Sequence, residues 1–122
     1  MKIIMFGVAA FLAMPAFAQM RTMSPGEKAW VQCRACHTLE KAAGHKIGPN
    51  LYGIVGQAAG TRAGFTYSPA LKSSGLTWDR ATLDRWIEKP SAVLKGHRMV
   101  FIGIADKDRR TALIDFLASK AP

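Results

Sequence analysis

The most specific chemistry in the sequence sits in five adjacent residues, Cys33-Arg34-Ala35-Cys36-His37. The C-x-x-C-H spacing is the signature of covalent haem attachment. Each thiol can add to one vinyl group of the ring, giving two thioether bonds, and the histidine follows closely enough to bind the iron. The chain holds two cysteines, so both are consumed here. A thioredoxin-like C-x-x-C wants a βαβ context, and no strand pattern precedes this one. A zinc site wants four ligands. Cys33, Cys36 and His37 with His45 or His97 offer the right types, at a spacing that fits no familiar zinc module.

A haem iron has a second axial position to fill or leave open. Met20, Met23, Met99, His45 and His97 are the candidates after the N-terminal segment. Met20 and Met23 stand close to the expected mature N-terminus. Met99 lies in a glycine-bearing loop far enough along to cross to the other face of the ring, and His97, two residues away, competes with it. A thioether ligand raises the reduction potential relative to a second histidine, because sulfur favours reduced iron.

The elements that must position these groups read as helices and loops. Ser24-Pro25-Gly26-Glu27 combines an N-cap serine, a proline at the first helical position and a glutamate at the third, which predicts a helix to about Ala35. Gly26 and Trp30 share a face of it. Residues 38–64 read as loop, with Gly48-Pro49-Asn50-Leu51-Tyr52-Gly53 extended and turning. Ser68-Pro69 opens a short helix that Gly75 ends. Asp79 caps a helix over 80–88 with Leu83, Trp86 and Ile87 on one face, and Pro90 stops it. Residues 91–104 read as loop. Asp106 caps a last helix to about Ser119 with the stripe Leu113, Phe116 and Leu117. No stretch alternates with period two, so the expected class is all-α, with three main helices and one short one.

The N-terminus belongs to a different physics. Lys2, an apolar run over 3–14, Pro15 and Ala16-Phe17-Ala18 form a secretory leader, expected to be cleaved after Ala18. The apolar run is too short for a membrane span, which needs about 20 residues. Residues 19–23 then form a mobile tail, and 24–122 the folded domain. Export points to the periplasm of a Gram-negative host. The full chain carries a formal charge of +9, and losing Lys2 leaves +8, spread over the surface without a long Lys/Arg block. That pattern suits docking to acidic protein patches, with transient membrane-surface contact, and export argues against nucleic acid. A core this small gains from an apolar cofactor, so the apoprotein is expected to fold poorly.

Taken together, these stretches resemble the class I c-type cytochromes, close to the mitochondrial and bacterial carrier branch. The resemblance rests on Cys33-x-x-Cys36-His37-Thr38, Gly48-Pro49-Asn50-Leu51-x-Gly53, Gly64-Phe65-Thr66-Tyr67-Ser68, Gly75-Leu76-Thr77-Trp78, Gly96-His97-Arg98-Met99-Val100-Phe101-x-Gly103-Ile104 and Leu113-Ile114-x-Phe116-Leu117, in family order. It implies a cytochrome c fold around one haem c, held through Cys33 and Cys36. His37 and Met99 would be the iron ligands. The Pro49 carbonyl would accept a hydrogen bond from the other nitrogen of His37, and Tyr67 and Trp78 would bond a buried haem propionate. Gly26 and Trp30 would meet Leu113, Phe116 and Leu117 where the first and last helices cross. Phe101 would flank the exposed haem edge.

The implied activity is one-electron transfer, with no catalytic residue and no substrate bond made or broken. The carrier, expected to be a monomer, would move electrons from a membrane or periplasmic reductase or dehydrogenase to an oxidase, a peroxidase or a photosynthetic reaction centre. The other reading is a haem enzyme or gas sensor with an open sixth iron position. Three departures from the family pattern bear on the pocket: Gln57 replaces an arginine, Trp86 a tyrosine and Leu71 a polar residue. The last two make the distal side more apolar. The surface departs too: Lys46, Arg98 and Lys107, with Arg34 and Lys95, keep basic charge, while Gln32, Ser91, Ala92 and Ala105 are neutral where lysine is common.

Overall fold

The structure, a computed structural model, describes residues 20–122; the leader expected at 1–18 and Gln19 lie outside the described residues. Among the described residues, five helices follow one another: α1 (Pro25–Trp30), α2 (Pro69–Lys72), α3 (Arg80–Glu88), α4 (Pro90–Val93) and α5 (Lys107–Ala118). Among the described residues there is no strand, only an isolated antiparallel bridge between Ala58 and Thr77. No described helix is long and apolar enough to cross a membrane.

The caps sit where the residue types demand. The Ser24 hydroxyl accepts from the Glu27 N–H at 3.2 Å, and the Glu27 carboxylate accepts from the Ser24 N–H at 2.8 Å. Asp79 and Asp106 accept from the N–H groups of Thr82 and Arg109, each at 2.7 Å. These bonds satisfy N–H groups that the first helical turn leaves without a carbonyl. Tail residue Arg21 pairs with Glu27, and Met20 is exposed.

Two boundaries differ from the expectation. The first helix ends at Trp30 rather than Ala35. Its backbone continues as tight turns: the Cys33 N–H bonds the Trp30 carbonyl at 2.8 Å, and the Cys36 and His37 N–H groups bond the Cys33 carbonyl at 3.1 and 3.0 Å. Shared carbonyls of this kind tighten the chain and bring both cysteines and the histidine into one short segment. The second difference is α4, in a stretch expected to be loop. Pro90 does stop α3, with Lys89 extended before it. Its ring also fits the first position of a new helix, so one residue ends α3 and starts α4.

The core lies between α1, α3 and α5. Leu113, Ile114 and Leu117 of α5 are buried with Ala29 of α1 and Leu83 and Ile87 of α3. Leu113 is 1 % exposed, and burial of a leucine to that extent contributes about 2 kcal/mol over leaving it in water. α1 crosses α5 at Gly26. A methyl group there would lie 2.6 Å from both the Ala112 carbonyl oxygen and the Phe116 Cβ, so only glycine permits the approach. Trp30 and Phe116 pack beside it, with centroids 6.4 Å apart.

Candidate functional site

The Cys-x-x-Cys-His turn leads directly off this crossing. Cys33 is partly buried and packs against the core, and both thiols are free. Burial, with Cys36 nearby, pushes the Cys33 thiol up to about 11, so it stays protonated at neutral pH. His37 is fixed from two sides. Its Nδ1 lies 2.7 Å from the Pro49 carbonyl oxygen. A carbonyl only accepts, so Nδ1 carries the proton and Nε2 keeps its lone pair. Burial lowers the His37 pKa and the Pro49 bond partly offsets this, which favours the neutral, ligating form. Gly48 lies flat against the ring: a methyl group there would clash with Cε1 and sit 2.7 Å from Nδ1 and 2.8 Å from Nε2. The Gly48 N–H bonds the Cys36 carbonyl at 2.8 Å, which ties this stretch back to the motif.

The loop that follows is knotted by Asn50, which is 5 % exposed. Its amide donates to the Glu40 and Ala43 carbonyls, both at 2.8 Å, and its carbonyl accepts from the Tyr52 N–H at 2.9 Å. His45 is part of the same knot. Its Nδ1 accepts from the Asn50 N–H at 2.9 Å and its Nε2 meets the Ala63 carbonyl at 2.8 Å. Both nitrogens of His45 are engaged, so it is not a ligand candidate.

The distal candidates sit on residues 94–105. Met99 and Phe101 are partly buried against the core, whereas Val100 and Ile102 are 102 % and 92 % exposed. Behind them stands an aromatic row: Trp78 to Trp86 at 5.1 Å and Trp86 to the His97 ring at 5.2 Å, the second nearly edge-on. Of the three departures, Trp86 is buried and Leu71 partly so, while Gln57 is exposed and receives the Trp78 N–H on its backbone carbonyl at 2.8 Å. The Tyr67 hydroxyl accepts from the Arg62 N–H at 3.1 Å. Its own O–H proton stays free to donate.

These residues fit a haem. The His37 lone pair and the Met99 thioether are of the donor types that would ligate haem iron, and Cys33 and Cys36 are of the type that would attach the ring. His97 Nδ1 is buried with no hydrogen-bond partner, the mark of a polar group facing something the polypeptide does not supply. The zinc alternative has no ligand set: among the described residues, no three His, Cys, Asp or Glu side chains gather closely enough to hold a metal ion.

Sequence reading missed three contributors. Gly48 was visible only as part of a turning stretch, not as the floor under His37. Asn50 carried no signal beyond its place in that stretch. Arg110, 4 % exposed and paired with Asp84 at 2.8 Å, sits in a chain whose other cations are mostly solvated.

No family model matches the chain. Individual proteins do. Cytochrome c2 of Rhodomicrobium vannielii is 43 % identical over 119 residues, covering 98 % of this chain and 94 % of the relative. Cytochrome c2 of Blastochloris viridis is 35 % identical, covering 96 % and 92 %. Cytochrome c of Chlamydomonas reinhardtii is 42 % identical, covering 78 % and 86 %. Among solved structures, cytochrome cH from Methylobacterium extorquens superposes with a TM-score of 0.74 at 43 % identity, over 79 % of this chain and 96 % of that one. Identity at this level across nearly the whole chain, on an all-α fold with the Cys-x-x-Cys-His turn beside the α1–α5 crossing, places the chain in the class I c-type cytochromes.

Proposed function

We propose that the chain is a one-electron carrier with one haem c, held by thioethers to Cys33 and Cys36 and ligated by His37 and Met99. The observation that carries the reading is the His37–Pro49 bond at 2.7 Å, made within residues of the attachment turn. It selects the tautomer and aims Nε2 before any ligand arrives. Bound haem supplies a one-electron iron couple. The side chains do the rest. Gly48 keeps the imidazole from rotating. Tyr67, with its O–H proton free, and Trp78, with its indole N–H, are the donors for a propionate. The buried row of Trp78 and Trp86 keeps water from the distal side. With Met99 on iron, no position remains for a substrate, which is why the reading is a carrier and not an enzyme.

The leader over 1–18, cleaved after Ala18, would deliver the carrier to the periplasm, with 24–122 as the cytochrome domain. Its partners would be reductase complexes and an oxidase, peroxidase or reaction centre. Exposed Val100 and Ile102 flank Phe101, and Lys95, Arg98 and Lys107 are exposed on the same stretch of chain. An apolar patch with basic surroundings suits brief docking on an acidic-rimmed surface, by a monomeric carrier and with fleeting membrane contact.

The test is the near-infrared sulfur-to-iron band of the oxidised holoprotein. Met99→Ala should abolish it, lower the reduction potential and admit carbon monoxide to the ferrous form. His97→Ala should leave the band in place. A band absent from the unsubstituted protein, with high-spin iron and rapid carbon monoxide binding, would sink the carrier and favour an enzyme or gas sensor.

A further inference from the structure

Backbone hydrogen bonds tie the segment around Met99 to the rest of the fold at its ends. Its entry is fixed where the Leu94 N–H bonds the Pro90 carbonyl at 3.1 Å, and its exit where the Ile104 N–H bonds the Ile87 carbonyl at 2.8 Å. Between them, Gly96 and Gly103 take φ of +85° and +114°, conformations that side-chain-bearing residues rarely adopt. Gly103 also packs directly on the Glu88 carbonyl. The stretch thus bends at both glycines, and between its ends it is held by the side chains of His97, Met99 and Phe101 rather than by backbone bonds to the rest of the fold.

One side chain reinforces the exit. Arg110 reaches back from α5, and its guanidinium Nη1 donates to the Ile104 carbonyl at 3.0 Å and the Ala105 carbonyl at 2.8 Å. Its Nε donates to the Asp84 carboxylate of α3 at 2.8 Å, and Glu88 stands 3.9 Å away. The buried guanidinium therefore joins α3, α5 and the last residues of the Met99 loop, with the partly exposed Asp84 and the exposed Glu88 on its outer side. A planar fork with fixed donors can do this; an ammonium cannot reproduce the geometry.

We propose that the Arg110–Asp84 pair is a clasp that sets how often Met99 leaves the iron. Arg110 is a positioning residue: it lies eleven positions along the chain from Met99 and acts by holding the loop's exit against α3. Segments with few backbone hydrogen bonds to the rest of the fold open locally, without global unfolding, and their opening equilibrium follows the strength of their anchors. Releasing two charge-assisted bonds at the anchor frees the glycine-flanked stretch to swing while the α1–α5 core stays closed. The inference rests on Met99 being the sixth ligand.

The experiment uses ferric holoprotein and imidazole as the displacing ligand, with loss of the sulfur-to-iron band as the signal. Arg110→Lys should speed displacement roughly tenfold, the order expected when a hydrogen bond to a charged group is lost from a local opening equilibrium. Asp84→Asn should speed it less. Leu117→Val, a core change elsewhere on α5, should lower the unfolding midpoint and leave the displacement rate alone. If all three variants change the rate in proportion to the unfolding midpoint, or if the two clasp variants leave it unchanged, the clasp is overturned. A missing band in the unsubstituted protein overturns the Met99 reading itself and the clasp's role with it, which separates the two failures.

Discussion

The two sides of the proposed haem site are built on opposite principles. On the proximal side, His37 is held by the Pro49 carbonyl, the face of Gly48 and a loop knotted by buried Asn50. On the distal side, Met99 sits between two glycines of positive φ and is followed by two exposed aliphatics, Val100 and Ile102, and the backbone of its loop bonds the rest of the fold only at the ends. The proximal ligand is pre-set by the polypeptide, and the distal one depends on where a loop is anchored. Equal insults to the two sides should therefore have unequal consequences. A proximal change should cost fold and cofactor together, and a distal change should alter iron chemistry while the fold survives.

The largest break comes from His37→Ala. It removes the proposed ligand and leaves the Pro49 carbonyl without its donor, so little stable holoprotein should accumulate, read as covalent haem per purified chain. Next is Gly48→Ala. The methyl group has no space beside the imidazole and must push it off Pro49, and overpacking of this kind costs about 1–3 kcal/mol. Denaturant unfolding should show that loss together with a shifted His37-sensitive spectrum. Asn50→Ala follows. It strands the Ala43 carbonyl and the Tyr52 N–H in a partly buried loop and takes a second donor from the Glu40 carbonyl, and an unsatisfied buried group costs about 1–3 kcal/mol. Surviving holoprotein should keep its sulfur band in this variant, because the knot lies on the other side.

A smaller effect separates the ends of the fold. Glu27 is held below the ordinary carboxylate range by the Ser24 N–H and hydroxyl, and Asp79 by the backbone and hydroxyl of Thr82. A depressed carboxylate contributes stability above its unfolded pKa and loses it as pH falls through the lower folded value. The caps of α1 and α3 should therefore weaken below about pH 4, near the unfolded values of the two groups. Glu27→Gln should lower the unfolding midpoint slightly at pH 7, where the charged cap contributes, and flatten its acid slope. A slope unaltered by Glu27→Gln and Asp79→Asn would show that the caps do not carry the acid sensitivity.

The same contrast governs what could be read from the sequence. Proximal features were legible because they are local: a five-residue motif, a Gly-Pro-Asn stretch and capping residues at fixed offsets. The starts of α1, α3 and α5 followed from Ser24, Asp79 and Asp106, since a cap is set by residues three apart. α4 escaped because Pro90 signals both an end and a beginning, and only the end was taken. His45 and His97 looked alike as ligand candidates. What distinguishes them is tertiary: a full set of partners for one, and an orphaned buried nitrogen for the other. Arg110 was illegible for the same reason. A cation on the last helix of a basic chain reads as surface until α3 and the exit of the Met99 loop close over it.

The finest test of the asymmetry is a substitution that should do almost nothing to stability. Ile102 lies three residues from Met99 and is 92 % exposed, on a glycine-bounded loop that packs its neighbour Phe101 inward. Ile102→Ser removes little buried surface, so the unfolding free energy should stay within about 0.5 kcal/mol of the unsubstituted value. The sulfur-to-iron band should also persist. If Ile102 is part of the docking patch, the second-order rate of electron transfer to an acidic-rimmed partner should fall at high salt, where apolar contact outlasts screened charge attraction. A stability loss as large as that of Gly48→Ala would mean that the outer face of the distal loop is structural, and the two-sided contrast would not hold.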